Sequence, residues 1–223
     1  STGNDTLTGG DGNDTIYGLD GDDIISGDGG NDTIYAGTGN NSVSDGTGND
    51  FVDLSENSVA INYTTGGGND TVLGTAFNDT ILGSSGVDRL EGRGGNDLLN
   101  GAGGNDSLFG GDGSDTFTWN PGDANDLIEG GDGNDVMIFN GSAGAEVFAL
   151  SAVGTRLQLT RNVGVITMDV AGVEQVDLNA LGGADSATIN DITQTDVKVI
   201  NIDVGAGDAD NVTVNGRAVA DNL

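Results

Sequence analysis

The chain has 223 residues and a formal net charge of −30, from 36 acidic and only six basic side chains. Such a charge excludes nucleic acids and anionic membrane surfaces as partners, and with one lysine, Lys198, no polybasic patch can form. Cysteine and histidine are both absent, which removes disulfides, Cys/His zinc sites, the commonest catalytic base and the best nucleophile. Of the acids, 31 are Asp and five are Glu (Glu56, Glu91, Glu129, Glu146, Glu174), a bias that suits turns and hard-cation sites and not helices. The 42 glycines follow no period of three, so the chain is not collagen-like. No apolar run is long enough for a membrane-spanning helix, no signal peptide is visible, and the opening at Ser1 in mid-repeat reads as a fragment of something longer.

A nine-residue pattern begins at the N-terminus. Gly9-Gly10-Asp11-Gly12-Asn13-Asp14-Thr15-Ile16-Tyr17 is followed by Gly18-Leu19-Asp20-Gly21-Asp22-Asp23-Ile24-Ile25-Ser26, and then by Gly27-Asp28-Gly29-Gly30-Asn31-Asp32-Thr33-Ile34-Tyr35. The sixth place holds Asp5, Asp14, Asp23, Asp32, Asn41 and Asp50, then Asp70, Asp79, Asp88, Asp97, Asp106 and Asp115, then Asp126 and Asp135. The eighth place is apolar in all fourteen copies: Leu7, Ile16, Ile25, Ile34, Val43, Val52, Val72, Ile81, Leu90, Leu99, Leu108, Phe117, Ile128 and Met137. Nine-residue spacing with glycine clusters cannot carry a helical stripe. Each unit therefore reads as a six-residue turn and a strand of about three residues whose middle side chain points inward. Alternate units must form two sheets, so that two units make one coil of eighteen residues; Thr15-Ile16-Tyr17 recurs one coil later as Thr33-Ile34-Tyr35. Tyr17 and Tyr35 should then stack on one sheet face.

The turns carry the chemistry. Glycine at the first, second and fourth places permits backbone shapes that aim carbonyls into one space, and asparagine, frequent at the fifth place, tolerates left-handed geometry. The sixth-place Asp adds a carboxylate. Several oxygens without nitrogen or sulfur suit calcium better than zinc, and magnesium demands a tighter octahedron. Stacked turns give two columns. One holds Asp14, Asp32, Asp50, Asp70, Asp88, Asp106 and Asp126; the other holds Asp5, Asp23, Asn41, Asp79, Asp97, Asp115 and Asp135.

This array resembles the RTX (repeats-in-toxin) family, whose consensus is Gly-Gly-x-Gly-x-Asp-x-U-x, over residues 1–139. The resemblance implies an all-β, right-handed parallel β-roll that folds on binding calcium. It also implies that carbonyls of the first four places join the carboxylates, with each Asp bridging two ions. In this sequence those places are Gly9, Gly10, Asp11 and Gly12 in the first full unit, then Gly27, Gly29 and Gly30, then Gly46 and Gly48. After the break they are Gly66 and Gly68, Gly83 and Gly86, then Gly92, Gly94 and Gly95. Gly101, Gly103 and Gly104 follow, then Gly110, Gly111 and Gly113, and finally Gly130, Gly131 and Gly133. Counting neighbouring pairs gives at most about ten ions.

Departures from the pattern should interrupt the array. Asn41 removes a charge and should weaken the site it shares with Asp23. Residues 54–64 break the motif and read as half a coil with no metal loop. Phe77 and Ala124 stand at the fourth place, which questions the Asp79 and Asp126 turns; Trp119, near Pro121, marks a two-residue insertion. The outward threonines Thr6, Thr15, Thr33, Thr71, Thr80 and Thr116 could form an ice-binding ladder, but Ile24, Phe51, Arg89 and Leu127 interrupt it.

From 140 to 223 alternation replaces the repeat: Thr155–Thr160, Val165–Val170, Val173–Leu178, Ala187–Ile189, Val197–Val204 and Val212–Val214 read as strands that continue or cap the roll. Gly182-Gly183-Ala184-Asp185 and Gly205-Ala206-Gly207-Asp208 read as turns, and Ala220-Asp221-Asn222-Leu223 closes no visible fold. The expected whole is a non-enzymatic, calcium-folded module of a bacterial protein. The resemblance implies type I secretion to the outside or the cell surface. The expected role is structural or adhesive, by self-assembly or a cell-surface partner. The alternative is an accessory domain of an exported hydrolase or toxin whose active part lies elsewhere. Membrane insertion is not expected at this charge.

Overall fold

The computed structural model describes residues 2–206 and 209–216; Gly207 and Asp208 of the second glycine turn, and the terminal Ala220–Leu223, lie outside them. The strands of the repeat region are short and regular. They are Thr6–Asp11 (β1), Thr15–Tyr17 (β2), Ile24–Gly29 (β3), Thr33–Tyr35 (β4), Ser42–Ser44 (β5), Phe51–Asp53 (β6) and Asn62–Thr64 (β7). Thr71–Leu73 (β8), Thr80–Leu82 (β9), Arg89–Gly94 (β10), Leu98–Asn100 (β11), Ser107–Asp112 (β12), Thr116–Trp119 (β13), Leu127–Asp132 (β14) and Val136–Asn140 (β15) follow. Beyond them come Val147–Val153 (β16), Arg156–Arg161 (β17), Ile166–Ala171 (β18), Gln175–Asn179 (β19), Ser186–Ile189 (β20), Val199–Asp203 (β21) and Asn211–Val214 (β22).

These strands form a parallel β-roll with two walls. One wall is continuous, in the order β2-β4-β6-β8-β10-β12-β14-β18-β17-β16-β20-β22. The other is in two pieces, β1-β3-β5 and β7-β9-β11-β13-β15-β19-β21. The eighteen-residue coil is explicit in the register, which pairs Thr15 with Thr33, Ile16 with Ile34 and Tyr17 with Tyr35. The Tyr17 and Tyr35 rings stack, with centroids 5.0 Å apart and planes within 7°. The break at 54–64 stretches one coil to twenty residues, pairing Phe51 with Thr71.

In the regular turns the core is a file of inward side chains, one apolar residue per strand, to which β13 and β15 each add a second, Trp119 and Phe139. Of the fourteen eighth-place residues, twelve are buried, and Leu7 and Val43 are half-buried. Each large apolar side chain so enclosed contributes roughly 1.5–3 kcal/mol. In the irregular coil Tyr63 takes the inward place. Trp119 is also buried; it stacks on Phe139 with centroids 4.1 Å apart, and its Nε1 donates to the Ala124 carbonyl at 2.8 Å.

The C-terminal strands continue the roll by a different route. In the continuous wall β16, β17 and β18 form an antiparallel meander, and parallel pairing resumes from β16 to β20. In the other wall β15, β19 and β21 pair in parallel without interruption.

Candidate metal centre

Two ladders of side chains run through the turns. In the first, the backbone N–H of each sixth-place residue donates to Oδ1 of its counterpart one coil on. Asp14 donates to Asp32, Asp32 to Asp50, Asp50 to Asp70, Asp70 to Asp88, Asp88 to Asp106 and Asp106 to Asp126, over 2.7–2.9 Å. The other column does the same: Asp5 to Asp23, and Asp79 to Asp97, Asp97 to Asp115 and Asp115 to Asp135, each at 2.8 Å. The second ladder uses the fifth place in the opposite sense, with Asn31 N–H donating back to Asn13 Oδ1 and Asn49 N–H to Asn31 Oδ1, both at 2.9 Å. Asparagine is therefore there to pair turns. The left-handed residues lie at the second and fourth places, as at Gly10 (φ 98°) and Gly12 (φ 115°).

The second carboxylate oxygen decides the chemistry. Oδ2 of Asp14, Asp23, Asp32, Asp50, Asp70, Asp97, Asp106, Asp115 and Asp135 is buried and has no hydrogen-bond partner. Burying ionised oxygens unpaired is costly, and the recurrence of the same atom in nine turns demands a common counter-charge. The surroundings are oxygen-rich: a Cβ on Gly9 would lie 2.8 Å from both Asp14 Oδ2 and the carbonyl of Gly27 one coil on. Only glycine leaves room there. The donor set of carboxylate and carbonyl oxygens fits calcium. In each such turn Oδ1 accepts a backbone N–H from the neighbouring coil, and Oδ2 is left without a hydrogen-bond partner.

A family model for the RTX calcium-binding nonapeptide repeat matches residues 1–34, 26–56, 64–99, 82–117 and 122–145, more than half of the chain. The chain belongs to this family. A comparison with curated proteins returns no match. The stretches that the RTX repeats skip, 57–63 and 118–121, are the irregular coil and the Trp119–Pro121 insertion.

Within the RTX array the departures each have a physical consequence. At Asn41 the amide stands where a cation would be needed: its Nδ2 donates to the carbonyls of Ala36 and Gly37 and to Asn57 Oδ1, at 3.2, 3.1 and 2.7 Å. Asn41→Asp should therefore turn these donated contacts into facing oxygens. We expect about 1–3 kcal/mol to be lost without calcium and regained as calcium fills the restored site; a calcium titration followed by circular dichroism measures it. At Asp79 both oxygens are engaged, Oδ2 by the Thr75 N–H at 2.6 Å and Oδ1 by the Thr75 hydroxyl at 2.8 Å. Phe77, at the fourth place of that turn, does not adopt the positive φ of its glycine counterparts. At Asp126 the fourth-place carbonyl, that of Ala124, is taken by the Trp119 indole.

Four features escape the repeat pattern. Asp45 stands at a first place, where glycine is usual; it is buried, and its Oδ2 is also unpartnered. Glu146 follows Gly141 as a sixth-place residue, but its carboxylate pairs with Arg161, whose Nε donates at 2.7 Å, and with the Ser142 N–H and hydroxyl, both at 2.8 Å. Asp185 and Asp210 extend the same column, Glu146 N–H donating to Asp185 Oδ1 at 2.8 Å and Asp185 N–H to Asp210 Oδ1 at 3.0 Å. In the other column Asp135 N–H donates to Glu174 Oε2 at 3.0 Å.

Burial raises the carboxylate pKa of Asp50, Asp70, Asp88, Asp97, Asp106, Asp115, Asp126 and Asp135. Hydrogen bonds from backbone N–H groups oppose the rise without cancelling it.

Proposed function

We propose that this chain is a non-enzymatic, calcium-folded structural module of a secreted protein, working outside the cell in a surface or adhesive role. The observation that carries the reading is the buried, unpartnered Oδ2 repeated at nine sixth-place aspartates in a chain of RTX repeats. Ions that bind the folded state and not the unfolded chain drive folding by linkage. A chain of −30 that is open where calcium is scarce and folded where it is plentiful suits export unfolded, by a type I route, with folding outside. Among the described residues no helix is long and apolar enough to cross a membrane.

The test is far-UV circular dichroism of the calcium-free chain. Millimolar calcium should convert a coil-like spectrum to a β spectrum, and magnesium at the same concentration should not. A β spectrum that survives exhaustive chelation at neutral pH would overturn calcium-driven folding. Sedimentation with and without calcium then separates the roles: concentration-dependent assembly supports a surface or filament role, whereas a compact monomer favours an accessory domain of an exported enzyme or toxin.

A further inference from the structure

One coil of the roll is held differently from the rest. Between β5 and β7 the second wall is broken, so β4, β6 and β8 carry the strand ladder through it, with isolated turn bridges at Thr47–Gly67 and Gly39–Asn57 beside them. Asn41, with its amide donating to Asn57, removes one column's carboxylate at the same level. Here, on the remaining column, the sequence places an extra acid. Asp45 is fixed by two backbone donors to its Oδ1, the N–H groups of Gly46 and Gly66, both at 2.9 Å. Its Oδ2 is left beside Asp50 and Asp70, and one oxygen from each of the three carboxylates lies within 4.8 Å of the others.

All three residues are at most 3% exposed, and all three Oδ2 atoms are without a hydrogen-bond partner. A fourth group points to the same place. Tyr63, the inward residue of the irregular coil, is buried, and its hydroxyl also has no hydrogen-bond partner. The phenol lies against Asp45, with Asp70 and Asp50 also close by, so its oxygen borders the cluster.

We propose that Asp45, Asp50, Asp70 and the Tyr63 hydroxyl form the tightest cation site of the array, filled before the ordinary two-carboxylate sites, and that this ion clamps the two halves of the roll across the break in the second wall. Ligand charge count and rigidity set the affinity of oxygen-only calcium sites. This site has three carboxylates where the regular turns supply two, and Asp45 is already held by backbone donors. The same excess of charge favours a trivalent ion over calcium. The proposal rests on the calcium reading above and deepens it.

The experiment titrates the calcium-free chain with Ca2+ by calorimetry and with Tb3+ by tyrosine-sensitised emission. It compares the unaltered chain with Asp45→Asn, Asp45→Gly and Tyr63→Phe. Asp45→Gly restores the residue usual at that place, so it should fold. Both Asp45 variants should weaken the first binding phase on the order of tenfold or more, leaving the later phases in place. Tyr63→Phe should lose the emission produced by the first equivalent of Tb3+ and still fold with calcium. First phases in Asp45→Asn and Asp45→Gly that match the unaltered chain would overturn the proposal and leave the calcium reading standing. An unaltered chain that binds neither ion would overturn both.

Discussion

Replacing Arg161 with methionine will destabilise the calcium-loaded protein by about 3–5 kcal/mol. Arg161 and Glu146 are 5% and 1% exposed, so their ion pair lies inside the roll. Glu146 occupies the place that aspartate holds in the regular turns, and the guanidinium supplies there, covalently tethered, the positive charge that calcium would supply elsewhere. It also donates to the Ser142 hydroxyl at 3.2 Å and lies 5.4 Å from the centre of the Trp119 ring. Removing only the arginine leaves a buried carboxylate with no cation. Removing the charge on both sides, with Glu146→Gln in the same chain, should recover most of the loss, because an uncharged pair has little to desolvate. Chemical denaturation at saturating calcium, read by Trp119 fluorescence, measures both. A loss below about 1 kcal/mol in the single variant would show the pair to be solvated and energetically idle.

Acid should partly substitute for calcium. In the ion-free fold burial pushes the carboxyls of Asp70 and Asp135 up to about 6, those of Asp97 and Asp106 to about 7, and that of Asp126 to about 8. In the unfolded chain these groups titrate near 3.9. A folded-state pKa above the unfolded value means that the folded state holds the proton more tightly. The resulting stabilisation is fully present below about pH 4 and is lost as the pH rises through 6 to 8. The calcium-free chain should therefore gain β structure and compactness between pH 8 and pH 4.5. With millimolar calcium the fold should persist at pH 8, and the calcium midpoint should rise as the pH falls through 8 to 6, where protons compete for the same oxygens. Circular dichroism and sedimentation of dialysed, calcium-free protein across this range provide the check. A calcium-free spectrum that is coil-like and unchanged throughout would show that the unpartnered oxygens do not govern folding.

Much of this arrangement was legible in the sequence because the repeat encodes it directly. The eighth-place residues project inward and the sixth-place aspartates stack in two columns, since a nine-residue period admits little else. The interruption at Asn41 and residues 54–64 was legible for the same reason: a departure from a strict period marks its own position. Other features depend on spatial neighbours that the period does not fix. Asp45 looks like one more acid in an acidic chain until the fold brings it to Asp50 and Asp70. Tyr63 belongs to the stretch that breaks the motif, yet it supplies that coil's inward side chain. The series Glu146, Asp185 and Asp210 continues a column at spacings of 39 and 25 residues, because a hairpin and long connections intervene. The partner of Glu146 comes from β17, a strand with no counterpart in the repeat. Asparagine's role at the fifth place was misjudged because its left-handed tolerance is a property of one residue, whereas the ladder is a relation between coils.

The antiparallel meander has a mechanical consequence. Past β14 and β15, among the described residues, the continuous wall gains five strands, β18, β17, β16, β20 and β22, while the opposite wall gains two, β19 and β21. At about 4.8 Å per strand, one wall of the roll outgrows the other by roughly three strand widths. At this end Ile189, Ile200, Ile202, Val212 and Val214 line a largely apolar pocket. A staircase with unequal flights cannot be lengthened by repeating the same step. Any further coil, or a second molecule stacked on this end, must first make up that offset.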